Sequence, residues 1–145
     1  MAATLVKPSL TLKRRFKAPP AQVYSAWTEP EKVKRWFGPG GAQVTLAEFD
    51  ARTGGHYRIV AKSPDGSEHD VSGVFREVIP DEKLVYTWAW HSTPERESLV
   101  TVEFKREGTG TLLTLTHQDF FDEPARDRHN AGWTGALDKL ESYLA

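Results

Sequence analysis

Residues 10–17, Leu-Thr-Leu-Lys-Arg-Arg-Phe-Lys, alternate in character. Leu10, Leu12 and Phe16 take one side, and Thr11, Lys13, Arg15 and Lys17 take the other. This is the pattern of a half-buried strand, with Arg14 interrupting the apolar side. Pro19-Pro20 then pre-sets backbone angles for a helix start, and Val23, Tyr24 and Trp27 give that helix an apolar side. Thr28-Glu-Pro-Glu31 matches a capping box with proline in the first turn, predicting a second short helix to about Trp36. Gly38-Pro-Gly-Gly41 ends it.

From residue 43 to residue 118 the period is two. The spacing predicts strands over 43–51, 55–62, 67–79, 83–91, 97–106 and 109–118, separated by Gly-, Pro-, Asp- and Ser-rich turns. Connections this short imply an antiparallel meander. The period then changes. Trp133, Leu137, Leu140 and Leu144, joined by Ala136, form one stripe of a long helix that begins near Asp122-Glu-Pro124. Gly132 and Gly135 lie inside that helix, each costing up to about 1 kcal/mol relative to Ala. Close backbone approach, or space left for something else, would account for them. The expectation is an α+β domain: a curled antiparallel sheet of about seven strands around a long C-terminal helix, with two short helices after the first strand. The whole of 1–145 reads as one domain, with 1–9 as a flexible N-terminal segment.

Composition narrows the function. The formal net charge of −1, with no basic block, makes a phosphate-backbone binder a poor expectation, so no nucleic-acid partner is expected. Cysteine is absent, which excludes disulfides, thiolate metal sites and cysteine nucleophiles. Residues 1–10 lack the apolar core of a signal peptide, and no apolar run is long enough to span a bilayer. The expectation is a cytoplasmic protein without membrane insertion, as monomer or homodimer.

Several segments together carry a family resemblance: Arg14-Arg-Phe-Lys-Ala-Pro-Pro20 with Val23, Trp27-Thr-Glu-Pro-Glu31, Arg35-Trp-Phe-Gly-Pro39, and Asp50-Ala-Arg-Thr-Gly-Gly-His-Tyr57. Gly73-Val-Phe-Arg-Glu-Val-Ile-Pro80 through Leu84 to Trp88, Gly110-Thr-Leu-Leu-Thr-Leu-Thr-His117 and Gly132-Trp133 continue the series. In this order, over roughly residues 10–144, the chain resembles the START-like (SRPBCC) superfamily. Within it the chain is similar to the family named after the activator of heat-shock protein 90 ATPase homologue. The resemblance implies the helix-grip fold. It leaves function open, because the superfamily holds lipid carriers, cyclases and co-chaperones.

Most motifs have structural readings. Gly54-Gly55 reads as a hairpin turn braced by Asp50 and Arg52, and Gly108-Thr-Gly110 as another hairpin. Trp36-Phe37 reads as a lid over one end of the sheet–helix space. None of the five histidines has helical metal-site spacing, so no metal and no cofactor is expected. Glu48 and Asp50 share a strand face, where solvated carboxylates are the more ordinary outcome. The segments 95–97 and 119–123 look like exposed loops.

The candidate site is aromatic. Seven Phe, five Trp and four Tyr are a large payload for 145 residues. Leu84, Tyr86, Trp88 and Trp90 share one strand face, opposite a helix carrying Trp133. They either fill the core or wall a cavity. His117 ends the apolar parity of its strand, and His129 sits one turn before Trp133, which places the two imidazoles near one another. They are either satisfied core histidines, the more ordinary case, or a polar patch orienting a ligand and titrating between about pH 5 and 7. The ligand-binding set is Tyr86, Trp88, Trp90, His117, His129 and Trp133, with no catalytic residue assigned. The function this favours is binding of a small hydrophobic or aromatic ligand between sheet and helix. A co-chaperone-like module contacting a chaperone is the alternative the resemblance implies. A cyclase or hydratase using His117, His129 or Glu48 is the third.

Overall fold

Two-residue alternation buries one side of nearly every strand, and the resulting sheet has a single covered face. The structure, a computed structural model, describes residues 7–38 and 41–145. Strand β1 (Leu10–Phe16) is followed by helices α1 (Pro20–Thr28) and α2 (Pro30–Val33). Six further strands follow: β2 (Gln43–Phe49), β3 (His56–Lys62), β4 (Glu68–Ile79), β5 (Lys83–Trp90), β6 (Ser98–Glu107) and β7 (Gly110–Gln118). Helix α3 (Glu123–Tyr143) closes the chain. The sheet order is β1-β7-β6-β5-β4-β3-β2, with every pair antiparallel. β2 to β7 therefore form a meander, and β1 returns beside β7. The α1–α2 connection carries the chain from one edge of the sheet to the other.

The curl has local causes. Register shifts fall between Val44 and Leu46 on β2 and between Phe75 and Glu77 on β4. Such bulges bend a strand and raise its twist. At the β2–β3 turn Gly54 has φ 85°, and a Cβ on Gly55 would lie 1.9 Å from the Asp50 carbonyl oxygen. Only glycine fits there. Arg52 bridges back to the Asp50 carboxylate at 2.8 Å, bracing the turn as expected. Helix α3 starts as its sequence requires, with the Asp122 side chain accepting from the Ala125 N–H at 2.8 Å. Its stripe of Trp133, Ala136, Leu137 and Leu140 is buried against the sheet.

Three local expectations are corrected. Thr28 does not cap α2: it is the last residue of α1, and its hydroxyl donates to the Tyr24 carbonyl. The N-cap is Glu29, without a side-chain bond, and α2 ends at Val33. Arg14 does not spoil the inner face of β1, because its guanidinium reaches Asp138 on α3 at 2.9 Å. The 119–123 segment is not wholly exposed, since Phe120 is buried. Its backbone N–H donates to the Pro8 carbonyl. Residues 1–6 of the expected flexible segment, and Pro39 and Gly40 of the turn after α2, lie outside the described residues.

No helix among the described residues is long and apolar enough to cross a membrane.

Candidate functional site

The inward face of β5 runs the length of the sheet–helix space, and its four large side chains meet two different environments. Tyr86 enters the end covered by α1 and α2. There the Trp27 indole N–H donates to its hydroxyl at 3.1 Å, while the Tyr57 hydroxyl donates to the Thr87 carbonyl. Trp36, 1% exposed, donates its indole N–H to the Ala26 carbonyl at 2.9 Å. Burial pushes the Tyr86 phenol up, partly offset by the Trp27 bond, and pushes the Tyr57 phenol well up. The polar tips of Trp27, Trp36, Tyr57 and Tyr86 all have partners, and the residual void is only about 10 Å³. That is barely room for one water.

Trp88 and Trp90 enter the other end. There the space opens into a cleft of about 630 Å³ between α3, the ends of β4 and β5, and the β5–β6 loop. Trp88, Trp90, Trp133 and Phe120 supply most of the aromatic wall, with Phe37 at its inner limit. Trp88 packs against Trp133 at 5.1 Å and against Trp90 at 5.5 Å between ring centroids. Gly132 borders the cleft from α3, and a Cβ built on it meets nothing within 4 Å. The space reading of this glycine is therefore the one the structure supports.

Behind the aromatic wall lies a chain of hydrogen bonds. Trp133 donates its indole N–H to His117 Nδ1 at 3.0 Å. Nδ1 must therefore be bare, so the neutral ring carries its proton on Nε2 and donates to Ser98 Oγ, 2.7 Å away. Ser98 donates onward to the Trp88 carbonyl. His129 has the opposite tautomer. Its Nε2 accepts from the Trp90 indole at 2.9 Å, and its Nδ1–H donates to the Ala125 carbonyl at 2.7 Å. The two imidazoles lie 5.1 Å apart between centroids. Burial, reinforced by His129, drives His117 down to about 2. Burial also lowers His129, with Arg128 acting the same way and the Ala125 bond opposing. Both rings are neutral at neutral pH, and His117 does not titrate between pH 5 and 7 as the sequence had suggested.

This network settles the placement of the six candidate residues. Trp88, Trp90, His129 and Trp133 line the cleft. His117 is fully buried behind it, joined through Trp133. Tyr86 stands apart, at the packed end. Both nitrogens of His117 and of His129 are engaged, none by a carboxylate, while Glu48 is exposed on β2 and His69, His91, Glu68 and Asp70 also border the cleft. Among the described residues no group of three or more His, Asp or Glu could hold a metal ion.

The sequence reading missed Phe120, Phe121, Arg96 and Arg128. Phe121 is 59% exposed at the cleft mouth, with the Arg96 guanidinium 3.9 Å from its ring centroid. A Phe-Phe pair directly before a helix start was the available signal for the first two. The arginines come to the mouth only through the fold.

The comparisons agree with this architecture. The model of the family described as Activator of Hsp90 ATPase homolog 1-like protein matches residues 17–145. The human activator of 90 kDa heat shock protein ATPase homolog 1 is 29% identical over 125 residues, 86% of this chain and 33% of that protein. The chain thus spans about a third of the length of the curated relatives it matches. A solved protein of Chromobacterium violaceum superposes with TM-score 0.87 at 25% identity, covering 94% of this chain and 96% of that one. One from Silicibacter pomeroyi gives TM-score 0.85 at 29% identity, covering 94% and 97%.

Proposed function

The chain belongs to the Activator of Hsp90 ATPase homolog 1-like protein family, and on that premise we propose that it binds a small hydrophobic or aromatic molecule in the cleft between the sheet and α3. The observation that carries this reading is the contrast inside one aromatic core. The same strand face that is filled around Tyr86 stands open at Trp88 and Trp90, beside a helix glycine whose side-chain space is empty. A helix stripe optimised only for packing would place a larger residue than Gly132 there. Transfer of apolar ligand area supplies the driving force. Burying about 250 Å² would contribute about 6 kcal/mol before the cost of association is subtracted. The neutral fluorophore N-phenyl-1-naphthylamine tests the reading. It should bind the native protein with saturation near one per chain and quench tryptophan emission. Absence of saturable binding would remove the proposal.

A second reading comes from the curated relatives, which are named as activators of a heat-shock protein ATPase. On this reading the chain contacts a chaperone of that class. Adding the purified chain to a purified 90 kDa heat-shock ATPase would raise the turnover rate, and an unchanged rate at saturating chain would dismiss it.

A further inference from the structure

The acceptors of the two histidines behind the cleft are engaged. His117 Nδ1 is taken by the Trp133 indole and His129 Nε2 by the Trp90 indole, while Ser98 already bonds His117 and the Trp88 carbonyl. The Trp88 indole N–H, on a residue 4% exposed in the cleft wall, has no partner among the described residues. A buried donor left unpaired costs roughly 1–3 kcal/mol, but this atom is closed off from the cleft space, so it is the charge at the mouth that bears on a ligand. Arg96 on the β5–β6 loop and Arg128 on α3 border the cleft, and neither has an acidic partner among the described residues. On the β4 side stand Glu68 and Asp70. Asp70 is held by Arg58 at 2.8 Å, which lowers its carboxyl, while Glu68 is exposed. Of the charged residues that line the cleft, the two arginines thus stand on the loop and helix and the two carboxylates on β4.

The geometry points to an anionic amphiphile as the ligand: a flat apolar body lying against the tryptophans, and a carboxylate- or sulfonate-like group facing Arg96 and Arg128. This rests on the reading of the cleft as a ligand site and gives that reading a substrate class. Guanidinium forks match such planar or trigonal anions, and the Phe121 ring under Arg96 holds one of them in place. Glu68 and Asp70 would repel an anion from the β4 side, so they orient the ligand's charge towards the arginines.

Two fluorophores that differ by one sulfonate separate this inference from the binding reading. 8-Anilinonaphthalene-1-sulfonate should bind the native chain about tenfold more tightly than N-phenyl-1-naphthylamine at low salt, about one tenfold for a pair of exposed charge contacts acting together. That ratio should shrink as salt rises, and should fall towards one in the Arg96→Gln/Arg128→Gln variant. Both residues are exposed, so the variant folds. Binding of the neutral fluorophore with no preference for the sulfonate would overturn the anion assignment and leave the cleft as an apolar site. A preference that survives both substitutions would overturn it as well, by placing the anion elsewhere. Failure of both fluorophores to bind would overturn the binding reading with it.

Discussion

The two ends of the sheet–helix space are built from the same residue type and behave differently. Around Tyr86, the rings of Trp27, Trp36, Tyr57 and Phe75 close on one another, and each polar tip named there has an acceptor or donor inside the protein. Around Trp88, comparable rings leave about 630 Å³ open, and one indole N–H has no partner among the described residues. The difference lies in what covers the sheet. Helix α1 and the turn after α2 deliver two tryptophans onto the first end. The second is covered mainly by α3 and the segment before it, and α3 presents Gly132 where a larger side chain would fill the gap. Aromatic content therefore does not distinguish core from cavity. The covering elements and the hydrogen-bond balance do.

The largest expected effect breaks the packed end. Trp36→Ala should cost about 3–5 kcal/mol in urea unfolding, because it leaves a large cavity and strips the Ala26 carbonyl of its donor. Leu140→Ala, on the helix stripe shared by both ends, should cost about 2–5 kcal/mol. Trp90→Ala, at the half-buried edge of the cleft, should cost clearly less than either. Equal losses at Trp36 and Trp90 would mean that the two ends are packed alike.

Next comes a substitution that should close the open end without weakening the fold. Gly132→Leu adds a side chain where nothing stands within 4 Å and replaces a poor helix former. Stability should hold or rise by up to about 1 kcal/mol, while N-phenyl-1-naphthylamine affinity falls by about tenfold or more, as expected when a ligand's volume is occupied. A stable variant that still binds the fluorophore normally would locate binding elsewhere.

How much of this was legible beforehand follows the same division. The parity of Leu84, Tyr86, Trp88 and Trp90, the position of His117 on the apolar face of β7, and the stripe on α3 are all local periodicities. The structure keeps each of them. Where the strand face divides between Tyr86 and Trp88 is a tertiary fact, set by how far α1 and α2 extend over the sheet. No period of two or 3.6 records it. Arg14 misled for a related reason: a long side chain can sit on an inner parity and still carry its charge out to Asp138 and Glu141. Phe120 was hidden because its loop context is polar, although its ring packs 4.2 Å from His117 between centroids. The tautomers of the two histidines needed their tryptophan partners, which lie 16 and 39 residues away in sequence.

The histidine network gives the open end a pH signature that the packed end lacks. Native His117 resists protonation down to about 2, against 6.5 in the unfolded chain, and His129 is shifted the same way. Below about pH 6.5 the unfolded state therefore binds more protons, and stability falls as pH falls. Each histidine contributes a slope of up to about 1.4 kcal/mol per pH unit. Asp70, whose carboxyl Arg58 holds below its ordinary 3.8, loses its contribution only at lower pH. Urea titrations between about pH 6 and 4.5 thus read the histidines. His129→Gln should flatten that slope, because an amide can accept from Trp90 and donate to Ala125 without titrating. An unchanged slope would show that His129 binds its proton alike in the folded and unfolded states, so that burial does not shift it.

The smallest expected effect concerns whether charge, rather than burial, ties the sheet to α3. Arg14 is the one inner-face cation of β1, bonded to Asp138 at 2.9 Å and lying 3.7 Å from Glu141. Its acidic partners are well exposed, at 65% and 56%, so solvent screens both contacts. Arg14→Met keeps the aliphatic stem against the neighbouring apolar residues and removes only the charge. The unfolding free energy should change by less than about 1 kcal/mol, and the difference should shrink further in high salt. A loss comparable to that of Leu140→Ala would instead assign the grip on α3 to this ion pair and demote the apolar stripe.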